Sequence, residues 1–135
     1  MIEQTILMQK VTGVGGVFFK ARDPQTLMDW YEKHLGLKFQ HGFIELKWAD
    51  EKGNKTPGST TIAIFKEDSA HFKPSEKSYM INLRVADLRA LLAELQENGV
   101  APLGEIEEYD FGRFGRIMDP EGNKIELWEP VDDAP

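Results

Sequence analysis

The chain has 135 residues, about the length of one domain, and its 41% hydrophobic content is enough to fill a core. Its 16 Lys and Arg stand against 23 Asp and Glu, and the formal charge of -7 argues against a protein that binds nucleic acid by neutralising phosphates. The absence of cysteine excludes disulfides and thiolate nucleophiles and leaves imidazole chemistry to three histidines.

The first half of the chain predicts a strand, a helix and three further strands. Residues 14–21 are rich in Val and Phe and predict the first strand. Asp23 and Pro24 then start a helix, because the Asp side chain accepts from free amides and Pro at the first helical position loses no hydrogen bond. Gly36 ends this helix. Further strands are predicted at residues 37–39, 43–48 and 60–65, and residues 67–77 are predicted to form an exposed crossing.

The second half predicts the same order of elements. Residues 79–85 alternate apolar and polar side chains, as a strand does, and Asp87 caps a helix that ends at Gly99. The apolar stripe of this helix consists of Leu88, Leu91, Leu92 and Leu95. Three strands follow at residues 105–109, 113–118 and 124–128, and the turn DPEGN joins the last two as a hairpin.

The two halves form an internal repeat. Equivalent caps and turns are 63 or 64 positions apart: Asp23 and Asp87, Gly36 and Gly99, Gly58 and Gly122. Repeats of this size are too thin to bury a sheet face alone and should pack against each other. We therefore predict one α+β domain over residues 1–135, with module one at about 11–66 and module two at about 78–130.

Three segments resemble the vicinal oxygen chelate superfamily, which groups glyoxalases, bleomycin resistance proteins and extradiol dioxygenases. They are GGVFFKARDPQTLMDWYEKHLGLKF, MINLRVADLRALLAEL and FGRFGRIMDPEGNKIELWEP, at residues 15–39, 80–95 and 111–130. The third segment is the most specific. The resemblance implies two βαβββ modules that form a curled mixed sheet around a small-molecule cavity, and it implies a homodimer.

Enzymes of this superfamily hold one divalent metal at symmetry-related strand positions. Counted from the helix-capping aspartates, the resemblance carries these positions to Gly16, Ile62, Met80 and Glu126. Glycine and isoleucine offer no donor, and a thioether is a poor ligand for hard or borderline ions. A shift of two residues brings in Phe18 or Asn82, and neither is a histidine. We predict no metal and no other cofactor.

Alternation along the strands places every second side chain on one face of the sheet, and the resemblance implies that this face lines the cavity. Ile81, Leu83 and Val85 fall on the opposite side, toward the helices. The alternation, the repeat and the resemblance together give these expected cavity residues: Gly16, Phe18, Lys20, Ile62, Met80, Asn82, Arg84, Glu126 and Trp128.

Two interpretations of this set stay open. In one interpretation Glu126 is a catalytic base or a hydrogen-bond acceptor for the ligand, and in the other it is a carboxylate paired with Arg84, Arg116 or Lys20; the two do not exclude each other. The apolar members either bind a ligand or simply fill the volume that a metal would take.

The histidines are scattered along the sequence. His34 lies in the last helical turn, where the helix dipole favours a cationic ring, and His41 lies at a strand end. His71 is expected to be a solvated loop residue, with a part in a lid beside Phe72 as the alternative.

The favoured function is binding of a small organic ligand without the usual metal, and an acidic chain favours cationic or neutral ligands. The alternative is a lyase, isomerase or dioxygenase of glyoxalase type that uses Glu126 with an atypical metal site or none. A third hypothesis is an accessory domain whose sheet surface contacts another protein. We expect a cytoplasmic protein with no membrane partner, because the chain has no apolar run of roughly 18 residues and no recognisable leader.

Overall fold

The computed structural model describes residues 10–131. The N-terminal residues in which no leader was recognised lie outside this range. The elements are β1 (Val11–Ala21), α1 (Pro24–Leu35), β2 (Phe43–Ala49), β3 (Lys55–Lys66), a 3-10 helix (Ala70–Phe72), β4 (Tyr79–Val85), α2 (Leu88–Glu97), β5 (Glu107–Tyr109), β6 (Gly112–Met118) and β7 (Lys124–Pro130). The strands form one curled mixed sheet in the order β2-β3-β1-β4-β7-β6-β5, as the α+β prediction requires. No helix within residues 10–131 is long and apolar enough to cross a membrane.

The sheet repeats one pairing scheme on both sides of its centre. In the first half β1 runs parallel to β3, and in the second half β4 runs parallel to β7. Each of these pairs continues outward through an antiparallel strand, β2 or β6. β1 and β4 join antiparallel in the middle, so the two halves form one continuous surface.

Both helices begin as the capping residues predict. The side chain of Asp23 accepts from the amide of Thr26 at 3.1 Å, and that of Asp87 accepts from the amide of Ala90 at 3.1 Å. Gly36 ends α1 with a φ of 72°, in the left-handed region that glycine adopts at low cost.

The hydrophobic core lies mainly under α2. Leu88, Leu91 and Leu92 pack against Val85 and Leu127 of the sheet. Gly115 permits this approach, because a Cβ there would lie 3.0 Å from Leu92. By contrast, α1 has no buried residue. The buried core cluster on the helix-facing side of the sheet therefore belongs to the second half.

Two sequence predictions about local structure are wrong. Residues 37–39 form no strand, because the chain turns at once through Gln40, His41 and Gly42, and only an isolated bridge joins Gln40 to Phe43. The turn between β2 and β3 lies at Asp50–Asn54, and its glycine is Gly53. Gly58 instead lies within β3, so it is not the counterpart of Gly122.

The segment 67–77 is also not an exposed crossing. Phe72 is fully buried, and Ser75 is buried with its hydroxyl donating to the carbonyl of Gly122 at 2.7 Å. Burial of the Phe72 ring is favourable, and the buried Ser75 hydroxyl has a hydrogen-bond partner. This segment therefore packs over one end of the sheet.

Candidate functional site

A cavity lies against the concave side of the sheet. It consists of two adjoining pockets of about 810 and 830 Å³. The pockets share five lining residues, drawn from both halves of the sheet: Phe18, Phe43, Thr61, Phe111 and Phe114. We call the pocket that contains Glu126 the inner pocket and the other, which contains Trp128, the outer pocket.

The walls of the cavity are largely aromatic. Phe114 stacks on Trp128 with the ring centroids 5.7 Å apart, and Tyr109 stacks on Phe111 at 5.2 Å. Phe111 is 54% exposed in spite of its apolar ring. Large flat apolar surfaces left open beside a concavity are typical of small-molecule sites.

Glu126 lies at the floor of the inner pocket and is fully engaged. It is 3% exposed. Its Oε1 accepts from the Asn82 side-chain amide at 2.7 Å, and its Oε2 accepts from Arg116 Nε at 3.1 Å and Nη2 at 2.8 Å. Both carboxylate oxygens of Glu126 are therefore occupied by charged or amide donors of the protein itself.

Arg116 also extends the network outward. Its Nη1 lies 3.1 Å from Glu107 Oε1, which in addition accepts from the Tyr109 hydroxyl at 3.0 Å. The hydrogen bond from Tyr109, with that from Arg116, lowers the pKa of Glu107. Burial alone would lower the pKa of Arg116, but Glu126 and Glu107 outweigh it and raise that pKa above its ordinary value. Arg116 thus stays cationic between two carboxylates.

The side-chain amide of Asn82 lies directly against the backbone of Gly15. Its Oδ1 is buried and has no hydrogen-bond partner among residues 10–131. A Cβ at Gly15 would lie 2.2 Å from this oxygen, so any side chain there would displace the amide. Gly15 belongs to an irregularity in β1 where the pairing with β4 shifts register.

His71 lines the inner pocket, so the prediction of a solvated loop residue is wrong. Its ring stacks on Phe65 at a centroid distance of 5.1 Å and lies 6.4 Å from that of Phe18. Its side chain makes no hydrogen bond to another residue in the described part of the chain. Burial lowers the pKa of His71, and the nearby charge of Lys124 acts in the same direction, whereas Glu126 opposes it.

Lys124 lies beside His71 in the same pocket. Its Nζ donates to the backbone carbonyls of His71 and Lys73, both at 2.8 Å. Among residues 10–131 no carboxylate oxygen lies within 4.0 Å of Lys124 Nζ, the limit for a salt bridge. Burial lowers the pKa of Lys124. A partly buried ammonium with two carbonyl partners keeps one proton available for a third hydrogen bond.

Arg84 is buried away from the inner pocket. Its guanidinium lies between the rings of Trp48 and Trp128, 4.8 and 4.9 Å from their centroids, and Nη1 donates to the carbonyl of Ser59 at 3.2 Å. The ring of Trp48 therefore faces Arg84. Glu45 lines the outer pocket.

The structure brings together four of the nine predicted cavity residues: Phe18, Asn82, Glu126 and Trp128. Gly16 and Met80 are covered by other side chains and do not reach the cavity. The ring of Phe18 lies over Gly16, and Met80 is 1% exposed.

Lys20, Arg84 and Ile62 also lie outside the two pockets, each for its own reason. Lys20 lies over the buried ring of Phe72, and Arg84 lies between the two tryptophans. Ile62 points to the other side of the sheet, because Thr61 and Ala63 are the residues of β3 that line the inner pocket.

The residues of the site do not fit a divalent metal. In the second half of the sheet Asn82 pairs with Glu126. The residue at the repeat position of Asn82 is Phe18, and it pairs with Ala63. Ala63 is therefore the residue of the first half that corresponds to Glu126. Alanine offers no donor, as Gly16 and Ile62 offer none. Within residues 10–131 no three His, Asp or Glu side chains are arranged so that they could hold a metal ion. The one carboxylate that remains already binds a guanidinium, which a cation would have to displace.

Sequence reasoning identified Arg116 only as one of three partners for Glu126, although the hairpin contained the signal to choose it. The DPEGN turn pairs Met118 with Lys124, and two steps along the ladder this places Arg116 opposite Glu126. No comparable local signal brings His71 to the pocket, because it lies on a segment whose path depends on packing. Phe43, Phe111 and Phe114 were likewise missed.

Comparisons with known proteins agree with this geometry. The family model of the Glyoxalase/Bleomycin resistance protein/Dioxygenase superfamily matches residues 14–127. Among curated proteins no match was found. Methylmalonyl-CoA epimerase from Mycobacterium tuberculosis is 24% identical over 92% of this chain and 91% of its own, with a TM-score of 0.60.

Two further solved structures share the fold. A variant of methylmalonyl-CoA epimerase from Streptomyces coelicolor, in complex with 2-nitronate-propionyl-CoA, is 19% identical over 90% of this chain and 99% of its own, with a TM-score of 0.66. A superfamily member from Vibrio splendidus is 13% identical over 86% and 97%, with a TM-score of 0.55. The residues matched by the family model show that this chain belongs to the Glyoxalase/Bleomycin resistance protein/Dioxygenase superfamily.

Proposed function

We propose that this protein binds a small organic ligand in its sheet cavity without the divalent metal of its superfamily. The observation that carries the proposal is the state of Glu126. The single carboxylate at a family metal position is taken up by Arg116 and Asn82. The aromatic walls above it remain open, and pockets of about 800 Å³ lie within the usual range of roughly 300 to 1,000 Å³ for small-molecule sites.

A second candidate function is acid–base catalysis, and one observation favours it. His71 is half-buried in the inner pocket, and its lowered pKa keeps the ring neutral and able to accept a proton near pH 7. Both carboxylate oxygens of Glu126 already accept hydrogen bonds, whereas the ring nitrogens of His71 have no hydrogen-bond partner among residues 10–131. If the protein is an enzyme, His71→Phe abolishes turnover, whereas binding of an uncharged ligand persists.

Two measurements test the favoured proposal. The metal content of protein purified without chelator or nickel resin is expected to be far below one ion per chain, and addition of Mn²⁺, Zn²⁺ or Ni²⁺ should leave the melting temperature unchanged. A stoichiometric, tightly held metal would contradict the proposal.

Ligand binding is tested by a thermal-shift screen of metabolites and antibiotics. A ligand at 100 times its dissociation constant adds about 2.7 kcal/mol to the free energy of unfolding. Phe111→Ser, at the open cavity wall, should abolish the shift. Trp30→Ser is the matched control, because Trp30 is an aromatic residue of similar exposure, 51%, but lies on α1 outside both pockets. Equal loss in both variants would count against binding in the cavity.

We further propose that the protein is a cytoplasmic homodimer. An exposed apolar stripe on the side of the central strands away from the cavity supports a dimer: Val17 pairs with Ile81, and both are more than one third exposed. Light scattering of the purified protein tests the dimer, and cell fractionation tests the location.

A further inference from the structure

Two basic side chains of the inner pocket, Lys124 and His71, have hydrogen-bonding capacity left over. Glu126 and Glu107 are the carboxylates at its floor, and each already accepts from Arg116 and from a second residue. Lys124 keeps one ammonium proton beyond its two bonds to backbone carbonyls. The ring nitrogens of His71 make no hydrogen bond within the described range.

Lys124 Nζ bonds to the backbone carbonyl of His71, so the two residues are neighbours at the wall of this pocket. Both side chains line the inner pocket beside the aromatic wall of Phe111 and Phe114. We propose that the ligand is an organic acid: its carboxylate or other anionic oxygen is bound by Lys124 and His71, and its planar apolar body lies against the aromatic wall. This inference rests on the proposed ligand-binding function and specifies its ligand class.

The local charges add a condition to this binding. Arg116 and Lys124 balance Glu107 and Glu126, so the floor is neutral while His71 is uncharged. At the rim, Lys73 balances Glu105. An entering anion would leave one uncompensated negative charge, which protonation of His71 removes. Binding of the acid is therefore accompanied by uptake of up to about one proton. The charge of the whole chain, -7, favours cationic ligands. Inside the pocket, however, the ligand contacts Lys124 and His71, and these two side chains favour an anionic group.

The test compares three probes of one shape and different charge: cinnamate, cinnamamide and cinnamylammonium. Isothermal titration of the full chain is expected to show that cinnamate binds about tenfold more tightly than the amide, as a charged hydrogen bond implies. Titration in two buffers with different ionisation enthalpies should show proton uptake with cinnamate and none with cinnamamide.

Two variants assign the effect to the proposed residues. Lys124→Met should weaken cinnamate about tenfold and leave cinnamamide within about twofold. His71→Phe keeps an aromatic ring on Phe65 and should remove the proton uptake, so it provides an independent test if Lys124→Met disturbs the backbone that it anchors. Lys33→Met, on the exposed surface of α1, is the control and should change nothing.

The outcomes separate this inference from the proposed function. If the amide or the ammonium probe binds as tightly as cinnamate, or if neither variant affects cinnamate, the preference for an acid is refuted while the ligand cavity stands. If none of the three probes gives saturable binding, both proposals fail.

Discussion

Replacing Arg116 by Met is expected to lower the free energy of unfolding by about 3 kcal/mol at pH 7, because it leaves a buried carboxylate without its cation. Glu126 is 3% exposed and loses two of its three hydrogen bonds, those from Arg116 at 2.8 and 3.1 Å. The bond from Asn82 at 2.7 Å remains, but a neutral amide cannot replace a full charge. Arg116 also pairs with Glu107, which is half exposed and contributes under about 1 kcal/mol.

Urea denaturation at pH 7 measures this loss, with the slope checked for two-state behaviour. The matched control is Arg89→Met, which breaks an exposed pair with Glu108 and should cost under about 1 kcal/mol. Adding Glu126→Gln to Arg116→Met removes the uncompensated charge and should recover most of the stability. A loss no larger than that of the control, or no recovery in the double variant, would refute the reasoning.

Three further changes test other parts of the site. Gly15→Ala should cost about 1–3 kcal/mol, because the new Cβ collides with Asn82 Oδ1, and an unchanged urea midpoint would contradict the close approach. Arg84→Lys should cost about 1–2 kcal/mol and reduce the near-ultraviolet circular dichroism of Trp128, because an ammonium cannot stack as a guanidinium does. For His71, whose pKa burial lowers in the fold, the unfolded chain binds the proton more readily, so the protein loses stability as the pH falls below about 6.5. The His71→Phe variant should lose less stability between pH 7 and 5 than the parent chain, and an identical pH profile would show that His71 is not the group responsible.

Much of the secondary structure could be predicted from the sequence, because its signals are local. Asp23 and Asp87 cap helices through amides three residues ahead, and the DPEGN turn fixes a hairpin through its own torsions. Such signals need only a few neighbouring residues. The repeat of these signals was sufficient to indicate two related halves and the family that they resemble.

The cavity was predicted less completely, because its faces depend on strand register. Pairing shifts at two points of the contact between β1 and β4, and again between β2 and β3. A displacement of one residue moves a side chain to the other side of a sheet. The repeat offset of 64 assigned Ile62 to the cavity, but the ladder pairs Phe18 with Ala63, so Ala63 faces the cavity and Ile62 faces away.

Local sequence patterns are enough to predict the two helices, the hairpin between β6 and β7, the family resemblance and the poor metal-binding chemistry of the family positions. The folded chain is needed to show that Arg116 is the partner of Glu126, that Trp48 and Trp128 enclose Arg84, and that His71 enters the pocket beside Lys124. The difference lies in the range of the interactions. Caps and turns are satisfied within a few residues, whereas these contacts join distant segments that meet only when apolar surface is buried and buried charges find partners.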